Sequence, residues 1–269
     1  MRAYPLAHHS WLLTAFLLSL CGCAVLPSGR GWGEQATIRP GWQAIKTAAS
    51  EAALDPWVWA PLAGAVVFQV DSLDRRTSDW AREHTPIFGS QSSAERWSDD
   101  LRTSAAVLNC VTLLATPSGN EPGQWLLNKT KGGLVELAAI GSTSLVTGTI
   151  KNVADRERPN DVDSESMPSG HASSAAVHTR LASLNLDSIE MDSTLRQAVK
   201  IGAGAISVGT GWARVEAGWH YPSDTLVGMA IGNFFASFFN HAFLRANAPG
   251  ALALTATDGG AVVQWQIAF

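Results

Sequence analysis

The sequence predicts an all-α helical bundle followed by a short C-terminal β-hairpin. Three observations lead there. Apolar stretches of helical length recur between Trp57 and Leu244, short loops rich in Gly, Pro, Ser and Asp separate them, and only the tail from Leu252 onward alternates with the period of a strand. With 269 residues, 46% hydrophobic and 16% charged, one large domain is expected. A mean hydropathy of +0.06 is low for a chain made mostly of membrane spans. The net charge of -4 gives no sign of a basic patch, so nucleic-acid binding is not supported.

Residues 1–22 read as a targeting segment. Arg2 precedes an apolar run from Trp11 to Leu20, and Leu20-Cys21-Gly22-Cys23 closes it with a small residue before a cysteine. The pattern resembles a bacterial lipoprotein signal with Cys23 as the lipidated residue. A plain signal peptide cleaved near Ala24 and an uncleaved anchor helix are the alternatives. Ala24 in place of an Asp points, by resemblance to lipoprotein sorting, to the outer membrane and a site on the periplasmic side. Residues 23–50 are rich in Gly, Ser, Pro and Arg, and read as a tether between the lipid and the domain. With Cys23 acylated, Cys110 has no disulfide partner. Its place in the apolar run Val107 to Leu114 marks it as a buried structural thiol.

The domain is expected over residues 51–248. Asp55-Pro56 introduces an apolar run from Trp57 to Val70, and the charges from Asp71 to His84 fit an exposed amphipathic helix. Pro86 and Gly89 break it. A helix from Ala94 to Leu114, capped by Ser92 or Ser93, is followed by a Thr116–Gly123 loop and a helix from Trp125 to Ile150 that ends at Lys151. Ser169-Gly170 starts another, to about Leu184. Thr194 to Trp212 and Thr225 to Leu244 complete the set. Thr225–Leu244 is long enough to cross a membrane and Gly133–Ile150 nearly so, but both are laced with small and polar residues. Alongside the lipid-anchor signature they read as core helices of a tethered domain, with Glu136 a partnered core or rim residue. Residues 249–269 form the hairpin about Asp258-Gly259-Gly260, expected to pack on the helices.

Three segments carry the chemistry: Lys151 with Arg158-Pro159 seven residues on, Pro168-Ser169-Gly170-His171, and Arg214 with His220 and Asp224 downstream. Their ordered combination is expected by chance on the order of once per million chains, from average residue frequencies. Phosphoryl transfer requires cations for the equatorial oxygens, a nucleophile and a proton donor. Lys151, Arg158 and Arg214 supply the charge, the arginines with a fork that suits phosphate. Backbone N–H groups at Ser169 and Gly170 open a helix and add anion affinity. Asp224, at i+4 from His220, is expected to fix its tautomer and leave the other nitrogen as nucleophile. His171 remains as the acid for the leaving group. No His/Cys cluster suggests a metal. The acidic run Asp161, Asp163, Glu165 reads as a solvated loop.

These segments resemble the type 2 phosphatidic acid phosphatase (PAP2) superfamily, which also holds bacterial acid phosphatases and vanadium haloperoxidases. The resemblance covers about Gly133 to Leu244. It implies an all-helical fold with the site at one end of the bundle, and a metal-independent phosphatase acting on phosphomonoesters or lipid phosphates. It further implies a phosphohistidine at His220 oriented by Asp224, with His171 as acid. Lys151, Arg158, Ser169, Gly170 and Arg214 would hold the phosphate. No cofactor is implied; vanadate is expected as an inhibitor that mimics the transition state. One departure is Ala213, where the family usually has Ser. A vanadate-dependent peroxidase and a non-catalytic envelope protein that binds phosphate groups are the competing readings.

Overall fold

The computed structural model describes residues 24–244 and the backbone of residues 252–257 and 260–265. The targeting segment 1–22 and Cys23 lie outside the described residues, as does the hairpin turn at 258–259. Eight α-helices are present among the described residues: α1 (Trp42–Leu54), α2 (Pro56–Val67), α3 (Leu73–His84), α4 (Gln91–Ala115), α5 (Pro122–Ala154), α6 (Gly170–Leu186), α7 (Ser193–Glu216) and α8 (Pro222–Phe239). A π-helical turn, Asn240–Leu244, extends α8. Strands β1 (Leu252–Thr257) and β2 (Gly260–Trp265) pair antiparallel, with Thr257 opposite Gly260.

Helix starts follow their caps. Asp55 accepts from Trp57 N at 3.0 Å with Pro56 in the first turn. Ser90, two residues before the expected cap, accepts from Ser93 N at 3.1 Å and so starts α4 at Gln91. α7 runs four residues past Trp212, which puts Arg214 in its last turn. It also buries Glu216, whose carboxylate accepts from Ile87 N and Phe88 N at 3.0 Å each and fixes the loop before α4.

α6 and α8 form the centre, with α2, α4, α5 and α7 packed around them. The core is rich in alanine: Ala172 and Ala176 with Met229 in one cluster, Ala139 and Ala236 with Val177 and Leu181 in another. Two glycines one turn apart allow the close contact. A Cβ on Gly228 would run into Ser169 O, and one on Gly232 into Ser173 O. Small residues at i and i+4 let two helix backbones approach, so the start of α6 is clamped against α8.

Three expectations are overturned. Residues 23–50 are not a free tether: α1 forms within them and packs on α8. Trp32 N donates to Pro117 O at 2.7 Å, and the Trp32 ring fills the space left by Gly132, with the Lys129 ammonium 5.3 Å from its centre. Ala24 forms a bridge with Gly119, at the end of α5 remote from Lys151. Cys110 is exposed, because α4 turns Ala105, Asn109 and Thr112 inward and the next position faces out. Finally, α5 is not a buried core helix. Only 22% of its most apolar window is buried, and Leu134, Leu137 and Leu145 are exposed. Its inward face carries Glu136 instead, which accepts from Asn109 Nδ2 at 2.9 Å and Asn185 Nδ2 at 2.8 Å.

The glycine contact is testable by unfolding in detergent. Gly232→Val should cost about 1–3 kcal/mol through overpacking against backbone. Gly141→Ala on α5, where the added methyl meets open space, should be neutral or stabilise by about 0.5 kcal/mol.

Candidate active site

The site lies where the C-terminal ends of α5 and α7 meet the N-terminal ends of α6 and α8. α5 ends at Ala154, and residues 155–169 fold back across it. Arg156 bridges to Glu165, Ser166 N donates to Arg156 O at 2.9 Å, and Arg158 N donates to Asp163 O at 3.0 Å. This loop delivers two arginines and a serine to the space beneath His220.

His220 precedes α8 and is 2% exposed. Its Nδ1 is 2.6 Å from Ser166 O. A carbonyl only accepts, so Nδ1 carries the proton and Nε2 holds the lone pair. Arg158 Nη1 faces that lone pair at 3.4 Å and also donates to Trp219 O at 3.1 Å. Arg158 and Arg214 both stack on the Trp219 ring, at 5.2 and 5.0 Å. Burial, then the charges of Arg214, Lys151 and Arg158, hold the His220 imidazole well below its ordinary pKa of 6.5. The neutral imidazole is therefore the resting form, and the three cations read from the sequence do converge on it.

Those cations are held differently. Lys151 donates to Glu165 O. Arg158 Nε pairs with Asp163, so the acidic run is partly structural and is not simply a solvated loop. Arg214 is buried, reaches Ser98 Oγ at 3.4 Å, and has no hydrogen-bond partner for Nε among the described residues. An unpaired guanidinium N–H in a buried place is costly, and a phosphoryl oxygen would satisfy it. Ala213 beside it is fully buried.

The expected pair between Asp224 and His220 is not formed. Tyr221, in extended conformation (φ -75, ψ 157), is the N-cap of α8, so His220 and Asp224 are not one helical turn apart. Asp224 instead accepts from Ser166 Oγ at 2.5 Å, Tyr221 N at 2.8 Å and Arg156 Nη1 at 2.6 Å. It meets the imidazole only through Ser166. Ser169 has its N–H engaged, while its hydroxyl keeps a proton that can still be donated to a phosphate oxygen. Its N–H donates to Asp224 O at 3.0 Å and its hydroxyl caps α6 by accepting from Ala172 N. The N–H groups of Gly170 and His171, in the first turn of α6, are left to bind an anion, with open space before Gly170.

His171 Nε2 is 2.9 Å from Asp99 Oδ1 on α4. Burial and Arg214 push its pKa down to about 4, while the Asp99 hydrogen bond pulls upward. A bound phosphate dianion would offset Arg214 and add to that pull. Asp99, Arg156, Asp74 and Ser166 were missed by motif reasoning. The signal for Asp74 was its register: it shares the inward face of α3 with Ser78 and Ala81, where a lone carboxylate requires a partner.

Residues 133–248 match the family profile described as the PAP2 superfamily. Over this segment the chain is similar to the PAP2 superfamily. Over 116 residues the chain is 33% identical to phosphatidylglycerophosphatase B of Bacillus subtilis (strain 168), a match covering 41% of this chain and 57% of that protein. The chain thus spans less than two thirds of that curated relative. A crystal structure described as the first transmembrane PAP2 type phosphatidylglycerolphosphate phosphatase from Bacillus subtilis shares the fold, with a TM-score of 0.52 and 22% identity over 68% of this chain and 92% of that one. The three motif segments all fall inside the PAP2 stretch. Asp74 and Asp99 reach the site from α3 and α4, outside it.

Two outcomes follow for the assay of activity. Lys151→Met removes a positive charge near His220, so the imidazole pKa rises and the acid limb of kcat/KM moves to higher pH than in the wild type, measured on one substrate. Asp99→Asn removes the carboxylate that holds a proton on His171, so less of the protonated form is present and turnover of an alkyl phosphate should fall about 10-fold or more while p-nitrophenyl phosphate, whose leaving group needs no proton, falls far less.

Proposed function

We propose that the chain is a metal-independent, membrane-embedded phosphatase that hydrolyses lipid phosphate monoesters through a phosphohistidine at His220. The observation that carries this is the His220 imidazole itself. It is buried, protonated on Nδ1 by its bond to Ser166 O, and turns its Nε2 lone pair toward Arg158 amid the charges of Lys151 and Arg214.

In the reaction, Nε2 attacks phosphorus and the ester oxygen leaves, taking a proton from His171. The equatorial oxygens lie among Lys151, Arg158, Arg214 and the N–H groups of Gly170 and His171. Water then attacks phosphorus, His171 accepts its proton, and Nε2 departs. Each step keeps the charge on the three oxygens, which is where the cations act throughout.

The preference for a lipid rests on the surface. α5 and the α8 segment Pro222–Leu244 are long and apolar enough to cross a membrane, and the outward faces of α2 and α5 carry Trp57, Trp59, Leu62, Leu134 and Leu145. Apolar area of this extent needs a covering, and hydrocarbon supplies one. The relatives named for phosphatidylglycerophosphatase activity agree with that class. Acylation of Cys23 is a separate proposal, read by mass spectrometry of the N-terminal peptide.

Purified full-length protein should release phosphate from phosphatidylglycerophosphate or phosphatidic acid in the presence of EDTA. His220→Ala should lose at least 10³-fold, and vanadate should inhibit competitively. Equal rates for wild type and His220→Ala, or activity abolished by chelation, would overturn the reading.

A further inference from the structure

We propose that Arg156 and Asp74 are positioning residues for the nucleophile, acting on His220 through Asp224 and Ser166. The inference rests on the phosphatase reading and deepens it. It starts from an unbroken line of hydrogen bonds. Asp74 Oδ1 accepts from Ser223 N at 2.8 Å, and its Oδ2 accepts from the Ser223 hydroxyl and from Arg156 Nη2, the latter at 2.8 Å. Arg156 Nη1 donates to Asp224 Oδ1 at 2.6 Å and to Ser223 Oγ at 2.9 Å. Asp224 Oδ2 accepts from Ser166 Oγ, and Ser166 O accepts the Nδ1 proton of His220.

Both carboxylates are out of solvent, Asp224 at 0% and Asp74 at 4% exposure. The Arg156 guanidinium lies between them and stacks on the Tyr221 ring at 4.2 Å. Its planar fork reaches two acids and a hydroxyl at once, a geometry a lysine ammonium cannot reproduce. Ser166 is tied to Arg156 twice: through Asp224, and by its own N–H to Arg156 O at 2.9 Å. Arg156 therefore sets where the Ser166 carbonyl stands, and that carbonyl sets the direction of the Nε2 lone pair. A displacement of about 1 Å in such a contact costs on the order of 100-fold in rate. Neither residue is one of those read from the motif segments. Arg156 sits between Lys151 and Arg158 and faces away from the phosphate side, and Asp74 comes from α3.

A cavity of about 510 Å³, lined by Gln69, Asp74, Arg75, Arg156 and Tyr221 among others, opens on this guanidinium from the surface. A small guanidinium compound can thus enter the place of a truncated side chain, which provides the test. In Arg156→Ala, kcat on p-nitrophenyl phosphate should fall about 100-fold with KM within threefold of wild type. Millimolar methylguanidine should restore at least 10-fold of it saturably, with no effect on wild type. Arg156→Lys should stay at least 10-fold down, and Asp74→Asn should lower kcat with unchanged KM. A loss confined to KM, a kcat within threefold of wild type, or a loss without rescue overturns the proposal. Should Arg156→Ala not fold, wild-type kcat in both Arg156→Lys and Asp74→Asn overturns it. An inactive wild type defeats the phosphatase reading instead. In that case, ¹⁵N spectra of the His220 ring still decide: the Nδ1–H tautomer must be lost in Arg156→Ala and regained with methylguanidine, and an unchanged tautomer sinks the proposal.

Discussion

The hydrogen bond from His220 Nδ1 to the carbonyl of Ser166 is the contact on which the site turns. A neutral imidazole has one proton to place, and placing it on Nδ1 leaves Nε2 as a lone pair aimed into the cluster of cations. The three positive charges then work twice. Together with burial they hold the imidazole unprotonated, and in the proposed reaction they would then face the charge of the phosphoryl oxygens. A carboxylate bonded directly to the ring would weaken the first effect by stabilising the protonated form. Routing Asp224 through Ser166 keeps the orientation while moving that negative charge one residue further away.

The packing of the bundle serves this contact. Gly228 and Gly232 bring α8 against the first turns of α6, so Ser169 N can bond Asp224 O across the two helices. That bond ties the segment carrying His171 to the one carrying Asp224. The loop 155–169 is secured at both ends, by Arg156 to α8 and by Lys151 to Glu165 O, which leaves the arginines few ways to drift from His220. The thin, alanine-rich core is what such close helix approach requires.

Much of this was legible in the chain. Lys151, Arg158, Gly170, His171, Arg214 and His220 all reach one end of the bundle, because their loops fall at helix ends that the sequence marks with Gly, Pro and Ser. The partner of His220 was not legible. A four-residue spacing suggests a helical turn, but Pro222 starts the helix after the histidine, and the local break changes who meets whom. Asp99 lies 72 residues from His171 and Asp74 lies 149 from Ser223, so no local pattern links them. The stretch before Trp42 was misread because Gly and Pro composition describes a flexible linker equally well as a segment whose Gly31 and Gly33 let its backbone lie against Ser118 and Asn128.

The length of α5 has a geometric consequence. Its 33 residues extend roughly 50 Å, well beyond the ~30 Å of a bilayer's hydrocarbon. At one tip Gly119 is bridged to Ala24; at the other Lys151 lies near His220. With α5 crossing the bilayer, Ala24 and the catalytic mouth would then lie on opposite sides of it. Sidedness would therefore be decided by whichever compartment receives residue 24.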